Sequence, residues 1–131
     1  MAFINKTKVL QFFVPGIPQV YYVGLLAGEN DQEAAAQSGE GRDINRHNYT
    51  MEEIEQAATT EVVQRLVKLI RFRNQHPAFN GEFHIIKDKG NKIHLRWENG
   101  DAFCELRVDL SEYAAEITYS DADLETKMYK V

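Results

Sequence analysis

Phe12-Phe13-Val14-Pro15-Gly16-Ile17-Pro18-Gln19-Val20-Tyr21-Tyr22-Val23-Gly24-Leu25-Leu26-Ala27-Gly28 is the stretch on which the fold turns. Each proline biases its predecessor away from helix, so a helix arriving from upstream ends near Phe13. The five residues at 19–23, Gln-Val-Tyr-Tyr-Val, are rich in β-branched and aromatic side chains and predict a short strand. The segment is apolar on both faces, as a buried parallel strand reads. On a strand, Tyr21 and Tyr22 point to opposite sides, and core packing is the simplest role for either. A parallel strand needs neighbours on both edges, and the sequence holds no second one. The expectation is that residues 1–80 form the closing piece of a larger α/β structure, or need a missing partner to cover residues 20–26.

Outward from this stretch, residues 3–13 predict a helix with Val9, Phe12 and Phe13 on its apolar side, too short to fold alone. Residues 29–49 have no sustained period. A helical turn fits residues 33–37; the rest is a loop of about 20 residues, longer than compact domains keep without a purpose. Thr50-Met51-Glu52-Glu53 fits a capping box. Helix is predicted from there to Asn74 or Gln75, with one break near Thr59-Thr60. In its second half Val62, Val63, Leu66, Val67, Leu69 and Ile70 form the apolar face, and Glu61 and Arg65 have the spacing of a helical ion pair.

After Asn80-Gly81 the period changes to two. Residues 82–88, 92–97, 102–108 and 115–119 predict strands, with a fifth at 126–131. Gly90-Asn91 and Asn99-Gly100-Asp101 mark the turns of an antiparallel meander. The predicted organisation is residues 1–80 as an incomplete α/β segment and residues 81–131 as a small antiparallel β domain.

The chain has 131 residues, with 15 Lys and Arg against 20 Asp and Glu, a net charge of −5. No segment is a basic stripe, so neither nucleic acid nor an anionic membrane surface is an expected partner. No apolar run approaches the ~18 residues of a membrane span. Lys6 and Lys8 interrupt the first ten residues, which do not read as a secretory signal. The single Cys104 excludes an internal disulfide and fits a reducing, cytoplasmic compartment.

Motifs of metal, phosphate-loop and nucleophile-elbow chemistry are absent, and no metal or cofactor is expected. Cys104, inside a predicted strand, reads as packing. Asp121, Asp123 and Glu125 alternate like a calcium loop but lack its glycine and remaining ligands. His47, His76, His84 and His94 are scattered; His76 fits a favourable interaction with a helix end, and His84 and His94 could be cross-strand neighbours. Gly41-Arg42-Asp43-Ile44-Asn45-Arg46-His47 is the densest run of hydrogen-bonding groups. Two readings stay open for it. One is a surface loop whose Arg42 and Arg46 pair with Asp43, Glu40 or solvent. The other holds Arg42 over a pocket, its planar fork of donors meeting sugar hydroxyls, a carboxylate or a phosphate. Gly41 would then let the backbone approach a ligand or take a positive φ.

The sequence at 12–31, the Gly-Arg-Asp-Ile-Asn-Arg-His run at 41–47, the helix start at 49–54, Val62-Val63, Arg71-Phe72-Arg73-Asn74 and Ala78-Phe79 together resemble the sucrose phosphorylases of glycoside hydrolase family 13, in the α-amylase superfamily. The match is good over residues 9–80 and weak over the β unit. The resemblance implies a fold: the last strand, loop and helix of a (β/α)8 TIM barrel, followed by a small antiparallel β domain. It also implies a glycosyltransferase activity, the retaining transfer of glucose from sucrose to inorganic phosphate by two carboxylates. The family's reacting carboxylates sit on strands four, five and seven, so no catalytic residue is assigned in this chain and the isolated chain is expected to be inactive. One binding position carries over: Arg42 matches a substrate-contacting arginine, with Asp43 expected to orient it or the loop.

This chain departs from the family at Gln32-Glu33-Ala34-Ala35-Ala36-Gln37-Ser38, where a Leu-Leu-containing stretch is usual, and at Asn48, where Tyr is common. Sucrose 6-phosphate, glucosylglycerate and glucosylglycerol therefore remain open as alternative substrates. A different class of function, a non-catalytic β domain binding carbohydrate or protein through a platform of Trp97, Tyr113 and Tyr119, is also open, although core packing is the simpler role for Trp97. The oligomeric state is not legible.

Overall fold

A computed structural model describes residues 2–131, with side chains from residue 8 onward. The elements run α1 (Ala2–Phe13), α2 (Tyr22–Leu25), α3 (Gln32–Ser38), a 3-10 turn (Gly41–Asn45), α4 (Met51–Ala58), α5 (Glu61–Gln75), a 3-10 turn (Pro77–Asn80), β1 (Glu82–Ile86), β2 (Lys92–Asn99), β3 (Ala102–Asp109), β4 (Ala114–Ser120) and β5 (Thr126–Lys130). Two compact units emerge: residues 1–18 with 68–131, and residues 19–67.

The first unit is built on a five-stranded antiparallel sheet in the order β1-β2-β3-β4-β5. The predicted meander is therefore present, with each strand within two residues of its expected ends. Asn99 pairs with Ala102 across the two-residue loop Gly100-Asp101. Gly100 takes φ 59° there, a conformation that costs glycine little and that a primed hairpin turn requires. At Gly81 the constraint is close approach. A Cβ on Gly81 would fall on the backbone carbonyl of Glu98, so only glycine lets β1 start against β2.

One face of the sheet carries Leu95, Trp97, Cys104, Leu106, Val108, Ala115 and Ile117, all buried. Period-two alternation puts them on one side because successive side chains point to opposite faces. The aromatic packing above them starts from α1. Phe13 meets Phe79 edge-on at 5.2 Å, Phe79 lies 5.7 Å from Trp97, and Phe83 lies 5.0 Å from Trp97. The Trp97 indole N–H donates to the Phe13 carbonyl at 2.7 Å. That carbonyl lies at a helix end, where no intrahelical donor remains for it. Trp97 is thus core, and a sugar platform built on it is ruled out. Arg73 lays its guanidinium over Phe79 at 4.3 Å and over Trp97 at 5.4 Å. Burial depresses its pKa, and the ring faces offset part of the desolvation.

His76 joins a helix end to the sheet. Its Nδ1 accepts from the Ala78 N–H at 3.3 Å, and its Nε2 lies 2.7 Å from the Ser120 carbonyl, to which it donates. This link to β4 adds a specific role to the expected helix-end interaction. His84 and His94 are diagonal rather than opposed, since His84 pairs with Arg96 and Ile86 pairs with His94. Asp121 accepts from the N–H groups of Asp123 (3.0 Å) and Glu125 (2.9 Å), which closes the β4–β5 turn. Among the described residues no group of three or more His, Cys, Asp or Glu could hold a metal, and no helix is long and apolar enough to cross a membrane.

The second unit departs from expectation at its start. Residues 19–23 do not form a strand. Tyr21 is extended, and helix α2 begins at Tyr22. The backbone bonds close locally: Leu25 N–H reaches the Tyr21 carbonyl at 2.9 Å, and Gly28 N–H reaches the Val23 carbonyl at 2.9 Å. With no strand pairing to residues 19–23, a helical turn supplies partners that β propensity cannot. Tyr21 and Tyr22 do not point to opposite sides. Their ring centroids are 4.6 Å apart, and both rings are exposed, as are Val14 and Ile17. The helix from residue 50 breaks as predicted between α4 and α5, and Glu61 pairs with Arg65 at 2.7 Å.

Cys104 is fully buried, and burial pushes its thiol up to about 12. The native protein should therefore resist a thiol-disulfide reagent at pH 8 and react only on unfolding. Labelling of the native chain at the rate of a free thiol would contradict this packing.

Candidate functional site

The long segment between α2 and α4 is organised by a single imidazole. Asp31 caps α3, its Oδ1 accepting from the Ala34 N–H at 2.9 Å, the ordinary use of an aspartate at a helix start. Its other oxygen, Oδ2, lies 2.9 Å from Nδ1 of His47. Nε2 of His47 lies 3.2 Å from Oε1 of Glu53. Glu53 is the third helical residue of the predicted capping box. Its Oε2 accepts from the Thr50 N–H at 2.7 Å, and its own N–H donates to Thr50 Oγ1 at 3.2 Å. Each carboxylate therefore spends one oxygen on a helix N-terminus and offers the other to His47.

The electrostatics follow from these bonds. The Asp31 and Glu53 carboxylates raise the pKa of His47 above its ordinary 6.5. Asp31 is held below 3.8, chiefly by the Ala34 N–H and then by His47. Glu53 is held below 4.5, chiefly by the Thr50 N–H. The signs give a window. The stabilisation from His47 is complete below its unfolded pKa and is lost as pH rises through the raised value. That from Asp31 and Glu53 is present above their unfolded pKa values and is lost as pH falls through the lowered ones. The bridge is strongest between those limits.

Aromatic rings close around it. The Tyr22 hydroxyl donates to the His47 carbonyl at 2.6 Å, and the Tyr49 ring meets the imidazole edge-on at 4.7 Å. Gly28 sits beneath Tyr49, where a Cβ would overlap the Tyr49 hydroxyl and press on Val23. Beside His47 is a depression of about 480 Å³ bordered by Glu29, Asp31 and Glu33. Its acidic rim favours an imidazolium and disfavours an anionic ligand at that spot.

Arg42, the binding residue expected from sequence, lies on the 3-10 turn Gly41–Asn45. It is exposed and pairs through Nε with Glu40. Asp43 does not pair with Arg42 but serves the loop, pairing with Arg46 at 3.8 Å and accepting from the Arg46 N–H with its carbonyl at 3.1 Å; Arg42 with Glu40 and Arg46 with Asp43 are the pairs expected of a surface loop. Gly41 takes no positive φ, and a Cβ there would meet nothing. The turn is instead held from the far side by the Asp31 N–H, which donates to the Ile44 carbonyl at 2.5 Å. Arg42 and the capping box are legible in the sequence; the partnership of Asp31, His47 and Glu53 is not. The usable signal was an Asp two residues before the predicted helical turn at 33–37, at the N-cap of the observed helix.

No protein-family model matches the chain. A sucrose 6(F)-phosphate phosphorylase of Thermoanaerobacterium thermosaccharolyticum is 53% identical over 124 residues, 95% of this chain and 25% of that protein. A glucosylglycerol phosphorylase of Marinobacter adhaerens is 52% identical over 88% of this chain and 24% of its own length. A sucrose phosphorylase of Agrobacterium vitis is 51% identical over 86% and 23%. The crystal structure of sucrose 6F-phosphate phosphorylase from Thermoanaerobacter thermosaccharolyticum superposes with a TM-score of 0.94 at 52% identity, covering 98% of this chain and 26% of that one. These are phosphorylases by name, and the fold is that of their C-terminal part. The chain is a homologue of the sucrose phosphorylases and sucrose 6F-phosphate phosphorylases, and it spans about a quarter of the length of the curated relatives it matches.

Gly28→Ala should destabilise the unit of residues 19–67 by about 1–3 kcal/mol, the usual cost of overpacking. Adding Tyr49→Phe, which removes the overlapped hydroxyl, should restore part of the loss. Denaturant unfolding of both variants checks this, and equal loss in the two would refute the proposed clash.

Proposed function

We propose that this chain forms the C-terminal part of a sucrose phosphorylase-like retaining glucosyl transferase. In this reading residues 1–80 close a (β/α)8 catalytic barrel, with the extended backbone at Tyr21 in the position of its last strand, and residues 81–131 are the C-terminal β domain. The substrates are an α-glucoside and inorganic phosphate, in a cytoplasmic enzyme. Sucrose is the first candidate; sucrose 6-phosphate, glucosylglycerol and glucosylglycerate are the alternatives. The observation that carries this reading is 53% identity to a sucrose 6(F)-phosphate phosphorylase across 95% of the chain.

Retaining transfer needs a carboxylate to attack the anomeric carbon and an acid to protonate the leaving sugar. Asp31 and Glu53 do not fit the acid's role. Both are held below their ordinary carboxylate values, whereas a general acid needs a raised pKa. The chain's contribution is binding. Arg42 offers an exposed guanidinium that pairs, among the described residues, with one exposed carboxylate. An exposed pair of this kind contributes little, so an incoming hydroxyl or phosphate oxygen can displace Glu40.

Two measurements test this. The isolated chain, given sucrose and phosphate, should release no glucose 1-phosphate; measurable product would refute the proposal that the reacting carboxylates lie outside the chain. The second uses a chimera in which this chain replaces the matching quarter of the sucrose 6F-phosphate phosphorylase. There Arg42→Lys should lower kcat/KM by about 10–100-fold, the value of a charge-assisted forked contact. Unchanged kinetics would remove Arg42 from the site.

A further inference from the structure

We propose that His47 is a positioning residue for Arg42, acting as a doubly protonated clamp between Asp31 and Glu53. The proposal rests on the reading of Arg42 as the binding residue.

The argument is one of proton counting. Both ring nitrogens face carboxylate oxygens, Nδ1 at 2.9 Å from Asp31 and Nε2 at 3.2 Å from Glu53. A carboxylate only accepts, so each contact needs an N–H on the ring. Neutral imidazole has one N–H. Only imidazolium can serve both carboxylates at once. Loss of the proton leaves a lone pair against an oxygen, and one contact must open. The longer one, to Glu53, opens first, because the shorter contact to Asp31 retains the remaining proton.

The clamp reaches Arg42 through a short relay of rigid parts. Asp31 receives His47 with its side chain and holds the Ile44 carbonyl with its own N–H at 2.5 Å. Ile44 and Arg42 share the same 3-10 turn. Glu53 anchors the other side on the first turn of α4, where the capping box fixes its carboxylate. With both contacts made, the turn is tied at Ile44 and at His47. With Glu53 released, the end at His47 depends on the Asp31 contact and the Tyr22 hydroxyl bond to its carbonyl.

The charged and titratable groups around the clamp are consistent with this role. Asp31 at the start of α3, Glu53 on α4 and Tyr49 border the imidazole, and Tyr22 bonds its backbone. Arg46, the adjacent cation, is engaged by Asp43. The two carboxylates facing the ring favour the imidazolium.

The test uses the full chain. Nitrogen-15 spectra of the His47 ring should show both nitrogens protonated at pH 6, with a titration midpoint above that of an exposed histidine. The amide resonances at 41–45 should shift with the same midpoint. Glu53→Gln should lower that midpoint, and His47→Gln should abolish the titration of the 41–45 amides while the sheet amides stay unchanged. A neutral His47 ring at pH 6, or 41–45 amides that ignore its titration, would overturn the clamp. In the chimera, KM should rise as pH passes upward through the same midpoint and kcat should fall less; His47→Gln should flatten that limb of the profile. A KM that does not follow the midpoint overturns the positioning role. The two readings separate cleanly. If Arg42→Lys leaves the chimera unaffected while the amides follow His47, the binding reading fails and the positioning role with it, and only the protonated bridge between Asp31 and Glu53 stands.

Discussion

An imidazole wedged between two carboxylates needs two protons, and the candidate site is arranged around that requirement. The segment between α2 and α4 carries a seven-residue helix and a five-residue 3-10 turn joined by irregular backbone. Asp31 caps one helix, Glu53 completes the capping box of another, and each has one oxygen left over for His47. A helix N-terminus attracts a carboxylate because its first N–H groups lack partners. Two such termini brought to one histidine turn ordinary capping into a tertiary constraint, and the turn bearing Arg42 is one backbone bond away.

The sheet unit achieves rigidity differently. There the restraint is apolar burial reinforced by polar bonds, among them the Trp97 indole to the Phe13 carbonyl and His76 to the Ser120 carbonyl. An unpaired carbonyl at a helix end would be costly in that core, so Trp97 both fills space and satisfies the helix terminus. This explains why Trp97 and Cys104 are interior groups with no chemistry of their own.

Much of this architecture was legible because it is local. Thr50 and Glu53 spell a capping box, Thr59-Thr60 marks the helix break, and period-two alternation with Gly90 and Gly100 gives the meander. These signals depend on residues within a few positions of one another. The failures share a cause as well. The segment at 19–23 has strong strand propensity, yet no strand pairs with it and a helical turn takes over at Tyr22. Gly41 was expected to supply a special backbone angle, but the 3-10 turn uses ordinary ones. His47 reaches partners 16 and 6 residues away across irregular backbone, a relation that no periodicity encodes. The pairs Arg42–Glu40 and Arg46–Asp43 were within reach of the sequence because their partners lie two and three residues away; the bridge through His47 was not.

The proposed role of the turn at 41–45 is to present Arg42 to a glucoside or phosphate ligand. The most direct measurement is a crystal structure of the chimera with glucose 1-phosphate bound. The Arg42 guanidinium should then lie within hydrogen-bonding distance of the ligand, turned away from Glu40, with His47 still between Asp31 and Glu53. Ligand bound in the barrel with Arg42 still on Glu40 and no contact between them would contradict it.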